Sequence, residues 1–105
     1  MLFRSGYEAR VAKAICLRQL GKPNDAIQVL NQLMKAKLPV DQMPKALYEL
    51  GLAYSSAGKL EPGIAAFEKL IESYAKFPLL DKAYYELAWA QKSLGKTEQI
   101  GRAHV

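Results

Sequence analysis

The sequence predicts an all-α fold, an α-solenoid of antiparallel helix pairs with about two and a half repeats. Two observations support this prediction. The dipeptide Gly-Lys recurs at residues 21, 58 and 95, so 37 residues separate each occurrence from the next. Beside these dipeptides, apolar and small residues recur with the period of a helix of about 3.6 residues per turn. A repeat of roughly 20 to 50 residues with two helical stretches is typical of stacked solenoid units.

The helical periodicity predicts five helices, at residues 7–20, 24–36, 43–57, 61–76 and 80–94, and the start of a sixth near Thr97. Glycines suit the left-handed residue that closes a helix, and three stand at the expected ends: Gly21, Gly58 and Gly95. Prolines suit the first turn, and three stand at the expected starts: Pro23, Pro44 and Pro62. Asp41 and Thr97 are expected as helix caps.

The two ends of the chain differ from the repeats. Residues 100–105 match the translation of ATC GGA AGA GCA CAC GTC, a common sequencing-library adapter, and residues 2–5 match its complementary strand. We therefore expect residues 1–5 and 100–105 to be non-native tails of a library fragment. Residues 6–99 are then one repeat domain, with repeats at about 6–40, 41–77 and 78–99, the last truncated. Removing Arg4 and Arg102 lowers the 15 basic residues to 13 against 10 acidic ones, so the net charge falls from +5 to +3.

Composition and charge exclude several classes of protein. A chain of 105 residues, 50% hydrophobic and 24% charged, has room for one small globular domain. Its apolar runs are far shorter than the roughly 20 residues of a membrane-spanning helix. Basic residues are spread over all units, without the dense stripe that neutralises a phosphate backbone, so we expect no nucleic-acid binding. The single cysteine cannot form an internal disulfide.

The residues of the units resemble tetratricopeptide repeats, in which each pair of helices has small and large apolar residues at fixed places. The best match is the second unit, through Leu47, Leu50, Gly51, Tyr54 and Phe67. The first unit keeps Ala14, Leu17, Ala26 and Leu30, and the third keeps Tyr84, Leu87 and Ala88. The departures from the family's pattern are Gly63, Leu70, Ala75 and Gln91. The resemblance covers nearly all of residues 6–98 and implies a scaffold for protein–protein interaction.

The spacing of 37 residues is longer than the usual repeat of about 34. In this it is similar to repeat proteins of the bacterial cell envelope, such as outer-membrane assembly lipoproteins and the coordinator that binds the Tol system. This similarity implies a bacterial protein of the periplasm, and the cytoplasm is the alternative location.

The repeats lack the combinations of side chains on which most catalytic sites depend, so we expect no enzyme activity. The only histidine lies in a tail, and we find no metal-ligand cluster and no glycine-rich phosphate loop. We therefore predict no catalytic, metal or cofactor-binding site. Cys16 aligns with Ala53 and Ala90, which predicts a small buried residue rather than a reactive thiol. Glu49 and Glu86 also align, and we expect both on a solvated helix face.

The resemblance implies a peptide-binding groove on the concave side, lined by the first helix of each unit. The residues expected to contact a partner there are Ile15, Arg18, Lys45, Tyr48, Leu52, Lys82, Tyr85, Trp89 and Lys92. The aromatic residues would anchor the partner, and the lysines would favour acidic flanks. Ile15, Leu52 and Trp89 stand where a carboxylate-gripping subtype has asparagine, so a clamp for a C-terminal carboxylate is not expected.

Two other roles stay open beside that of a peptide-binding scaffold. The chain is a purely structural spacer if neighbouring repeats of a longer array cover the aromatic stripe. It is a regulatory segment if the intact protein is a multidomain enzyme. A further expectation is self-association, because one face of the third unit lacks a covering second helix: Tyr84, Leu87, Ala88 and Gln91.

Overall fold

Five helices follow one another along the chain. The computed structural model describes residues 6–103, with side chains described as far as residue 95. The helices are α1 (Gly6–Gln19), α2 (Pro23–Lys35), α3 (Met43–Ser56), α4 (Leu60–Ser73) and α5 (Leu80–Ala103). Each helix packs against the next, and α3 also contacts α1 and α5. The odd-numbered helices therefore form one layer and α2 and α4 the other, which confirms the predicted solenoid of antiparallel pairs.

The turn inside each of the first two helix pairs has the same geometry. Gly21 and Gly58 have φ angles of 81° and 77°, in the left-handed region that favours glycine. The lysine after each glycine donates its N–H to a carbonyl five residues back, Lys22 to Leu17 at 2.8 Å and Lys59 to Tyr54 at 2.9 Å. These bonds satisfy carbonyls at the helix end. The predicted glycine closures are confirmed at these two turns, and all three prolines stand in first turns.

The third Gly-Lys dipeptide does not close a helix. Gly95 lies inside α5, which continues to Ala103, so the predicted closure there and the predicted new helix near Thr97 are wrong. Glycine permits a left-handed turn without imposing one. Among the described residues, no helix follows α5 and folds back onto it. Asp41 is not the cap of α3 either, because that position is taken by Gln42, without a side-chain cap bond. Neither α5 nor any other described helix has the length and hydropathy of a membrane span.

The core has two parts, one at each junction between units. The first cluster joins α1 and α2 to α3 and includes Val11, Leu30, Leu33 and Ala53. The second joins α3 and α4 to α5 and consists of Leu47, Tyr48, Phe67, Leu70 and Ala83. Each unit therefore shares its apolar residues with the next, and burial at a given position depends on the neighbouring unit.

A close approach of two helices holds the second unit together. Phe67 of α4 is fully buried and lies against Gly51 of α3. A Cβ atom at Gly51 would come within 2.6 Å of the phenyl ring, so only glycine leaves room for this ring. The packing of Phe67 against α3 therefore depends on Gly51.

Cys16 is exposed, so the prediction of a buried residue at this position is wrong. Its counterparts Ala53 and Ala90 are fully buried, and Ala53 packs in the first core cluster with residues of the preceding unit. Among the described residues no element packs on the corresponding face of α1. The three residues occupy equivalent positions in their units, but the side chains around them differ from unit to unit.

Candidate partner-binding groove

A groove of about 350 Å³ lies along the layer of odd-numbered helices. Residues from α1, α3 and α5 line it: Arg18, Leu52, Ser55, Ser56, Tyr85, Glu86 and Trp89. Arg18 lies at the end of α1, Leu52, Ser55 and Ser56 lie in the second half of α3, and Tyr85, Glu86 and Trp89 lie on α5. Residues 85 and 89 lie four positions apart on α5, so their rings stand on one face of that helix.

The structure brings together four of the nine residues expected to contact a partner: Arg18, Leu52, Tyr85 and Trp89. The two aromatic side chains are open to solvent, with 71% of Tyr85 and 49% of Trp89 exposed. Aromatic residues of this kind combine a large apolar surface with a hydrogen-bonding group, which suits them to protein contacts.

The other five expected residues lie elsewhere or at the margin. Lys82 and Lys92 are exposed on α5. Ile15 is half-buried and packs against the first core cluster. Lys45 lines a separate hollow of about 660 Å³ with Pro44 and the loop after α4.

Tyr48, which was expected to contact a partner, lies in the second core cluster and not on the open face. Only 8% of it is exposed. Its ring centroid lies 6.2 Å from that of Phe67 and 5.7 Å from that of Phe77, which precedes α5. Burial raises the pKa of the Tyr48 phenol, the charges of Glu86 and Glu49 raise it further, and Arg18 lowers it. The phenol therefore stays protonated at neutral pH.

An ion pair joins the first two units beside the groove. Arg18 donates from Nη2 at 3.2 Å and from Nε at 3.3 Å to Oε1 of Glu49. Glu49 is buried, so the expectation of a solvated residue is wrong for it. The desolvated carboxylate is balanced by the guanidinium, whose two donors meet one oxygen.

Two groove residues, Ser56 and Glu86, were not expected from the sequence. The register itself contained a signal, since Ser55 stands 37 residues after Arg18 and Glu86 stands 37 residues after Glu49. The positions that form the ion pair at one junction therefore recur at the next with serine in place of arginine.

A family model for the tetratricopeptide repeat matches residues 8–36 and 45–76. The chain belongs to the tetratricopeptide repeat family. Comparisons with curated proteins and with solved structures gave no significant match. The two matched segments correspond to α1 with α2 and to α3 with α4, and each therefore contains one helix pair of the solenoid. The matches do not extend over α5.

Tetratricopeptide repeats are in general modules of protein–protein interaction, and the chain has the layered arrangement on which such modules depend. The family match covers repeats alone, without a catalytic domain. Among the described residues, no group of three or more His, Cys, Asp or Glu side chains lies close enough to hold a metal ion. The side chains that line the groove are aromatic, apolar, hydroxyl-bearing and charged.

Proposed function

We propose that this chain is a protein-interaction module that binds a peptide or helical segment of a partner in the groove. The observation that carries the proposal is the exposure of Tyr85 and Trp89 in a groove that also contains Leu52 and Arg18. Central aromatic residues dominate the binding energy of many interfaces. Lys82 and Lys92 lie on the same helix and, being exposed, attract acidic residues that flank the bound segment.

The structural spacer is the second candidate, and one observation favours it. Tyr48 occupies the position 37 residues before Tyr85 and is covered by Phe77, from the segment that leads into the next unit. A further unit after α5 would cover part of Tyr85 in the same way.

Trp89 differs from Tyr85 in this respect. Leu52 stands in the register of Trp89 and is only half-buried although a unit follows it. Trp89 therefore keeps its place on the open face even in a longer array, which favours binding.

The test uses peptides selected against the chain from a random display library, with dissociation constants measured by calorimetry. Tyr85→Ala and Trp89→Ala should each weaken binding by about 2 kcal/mol or more. Tyr84→Ala is the matched control: it is also an exposed tyrosine of α5, with 53% of it exposed, but it does not line the groove. It should change the affinity by less than about 0.5 kcal/mol.

Substitution of Lys82 or Lys92 by glutamine should mainly reduce the dependence of binding on salt. Equal effects of the alanine variants at residues 84 and 85 would contradict binding in the groove. If the chain selects no peptide and Trp89→Ala destabilises a longer array of natural repeats, the spacer is the correct role.

A further inference from the structure

The two junctions between units differ in one charge. At the first junction, Arg18 of α1 pairs with Glu49 of α3 across 3.2 Å. At the second, the residues 37 positions later are Ser55 and Glu86. The carboxylate is retained, while the guanidinium is replaced by a short hydroxyl.

The second junction provides neither of these two groups with a partner among the side chains that the structure describes. The hydroxyl oxygen of Ser55 has no hydrogen-bond partner there, but it is buried beside Gly63 of α4 and is not accessible to an incoming group. Within the same part of the chain, no ion pair joins Glu86 to a cation. Both residues line the groove, together with the exposed rings of Tyr85 and Trp89. The groove therefore holds the carboxylate of Glu86, which has no ion pair among the described residues, beside two aromatic rings.

The local charge has the sign that a cation requires. Arg18, the cation that lines the groove, is neutralised by Glu49. A positive group entering the groove consequently meets the unbalanced carboxylate of Glu86.

We propose that the groove binds an arginine or lysine side chain of the partner segment, which takes at Glu86 the place that Arg18 takes at Glu49. This proposal rests on the proposed function and specifies the chemistry of the bound segment. Arginine is favoured, because its planar guanidinium can donate two hydrogen bonds to one carboxylate and stacks on aromatic rings. A following unit would not supply this cation, since the register places the partner of Glu86 in the unit before it, at Ser55.

The test compares three capped tripeptides, acetyl-Leu-X-Leu-amide, in which X is arginine, citrulline or glutamate. Citrulline has the shape of arginine without its charge. Trp89 is the only tryptophan of the chain, so its fluorescence reports binding in the groove. The arginine peptide should bind about five-fold more tightly than the citrulline peptide at low salt, and the glutamate peptide more weakly than either.

Variants assign this preference to Glu86. Glu86→Gln should weaken binding of the arginine peptide about five-fold and leave the citrulline peptide within about two-fold. Glu72→Gln, at an exposed carboxylate of α4 outside the groove, should leave both affinities unchanged. Ser55→Arg restores the missing cation within the chain and should abolish the difference between the two peptides. If Glu86→Gln loses helicity, the Ser55→Arg variant tests whether Glu86 binds the arginine side chain.

Equal binding of the arginine and citrulline peptides would overturn this inference while leaving the groove a peptide site. Binding of neither peptide would also overturn it, and the proposed function would then be judged by the selected peptides and the alanine variants at residues 84 and 85. A preference for arginine that survives both Glu86→Gln and Ser55→Arg would place the cation elsewhere and would likewise contradict it.

Discussion

Corresponding faces of α3 and α5 differ sharply in burial. Tyr48 of α3 is 8% exposed, whereas Tyr85, at the same place in the next unit, is 71% exposed. Leu47 and Tyr84 differ in the same direction, at 3% and 53%. Phe67 and the second core cluster cover the face of α3, while no second helix covers that of α5 among the described residues. In a solenoid, the neighbouring unit decides whether an aromatic residue is core or surface.

The sharpest test of this comparison substitutes the two tyrosines in turn. Tyr48→Ala should lower the free energy of unfolding by about 3 kcal/mol, because it removes a buried ring that contacts two phenylalanines. Tyr85→Ala should change it by no more than about 0.5 kcal/mol. Urea denaturation followed by circular dichroism measures both. Similar losses for the two variants would show that the ring of Tyr85 is packed in solution.

The next test compares the exposed thiol with its buried counterpart. Cys16 should react with a thiol reagent in the folded chain as fast as in an unfolded peptide, since its side chain is open to solvent. In the double variant Cys16→Ser, Ala53→Cys, the thiol should react at least about ten-fold more slowly, because reaction there requires the core to open. Both thiols should react alike in denaturant. Protection of Cys16 would indicate that something packs on α1, such as a second copy of the chain.

A smaller effect is expected at the two aligned glutamates. Glu49→Gln should lower the free energy of unfolding by about 1 kcal/mol, because Arg18 keeps most of its burial and loses its counter-ion. Glu86→Gln should leave stability nearly unchanged, since no ion pair within the described side chains depends on it. Thermal unfolding of both variants at low and high salt provides the measurement. A loss at Glu86 as large as that at Glu49 would contradict the contrast between the two junctions.

The fold followed from the sequence because it depends on features repeated along the chain. The Gly-Lys register predicted the turns at Gly21 and Gly58, where the helix must end so that the next one folds back. The same register misled at Gly95, because a glycine allows a left-handed turn only where the following segment packs. Local patterns predict a helix reliably, but its end depends on tertiary packing.

The groove was predictable in part. Arg18, Leu52, Tyr85 and Trp89 were expected on one face and do line the groove, since their helical register places them there. The burial of Tyr48 and the exposure of Cys16 were missed, because aligned positions have different neighbours at different places in the array. The pair of Arg18 and Glu49 joins residues 31 apart and depends on the junction between units, which no local pattern specifies.

Expectations about the ends concern residues outside those described in full. Of the expected tails at 1–5 and 100–105, residues 1–5 and 104–105 lie beyond the described residues, and the side chains of 96–103 are also outside them. The adapter origin and the bounds of the domain therefore stay predictions. Self-association also stays a prediction. Three residues of the face of α5 that it would use are exposed: Tyr84, Ala88 and Gln91.

The most direct measurement is the accessibility of Trp89 to acrylamide in the free and peptide-bound chain. As the only tryptophan, it reports from inside the groove without any label. Saturation with a selected peptide should lower the quenching constant of Trp89 markedly, and Tyr84→Ala should show the same protection. If Trp89 stays as accessible in the saturated complex as in the free chain, the partner binds elsewhere and the groove is not the binding site.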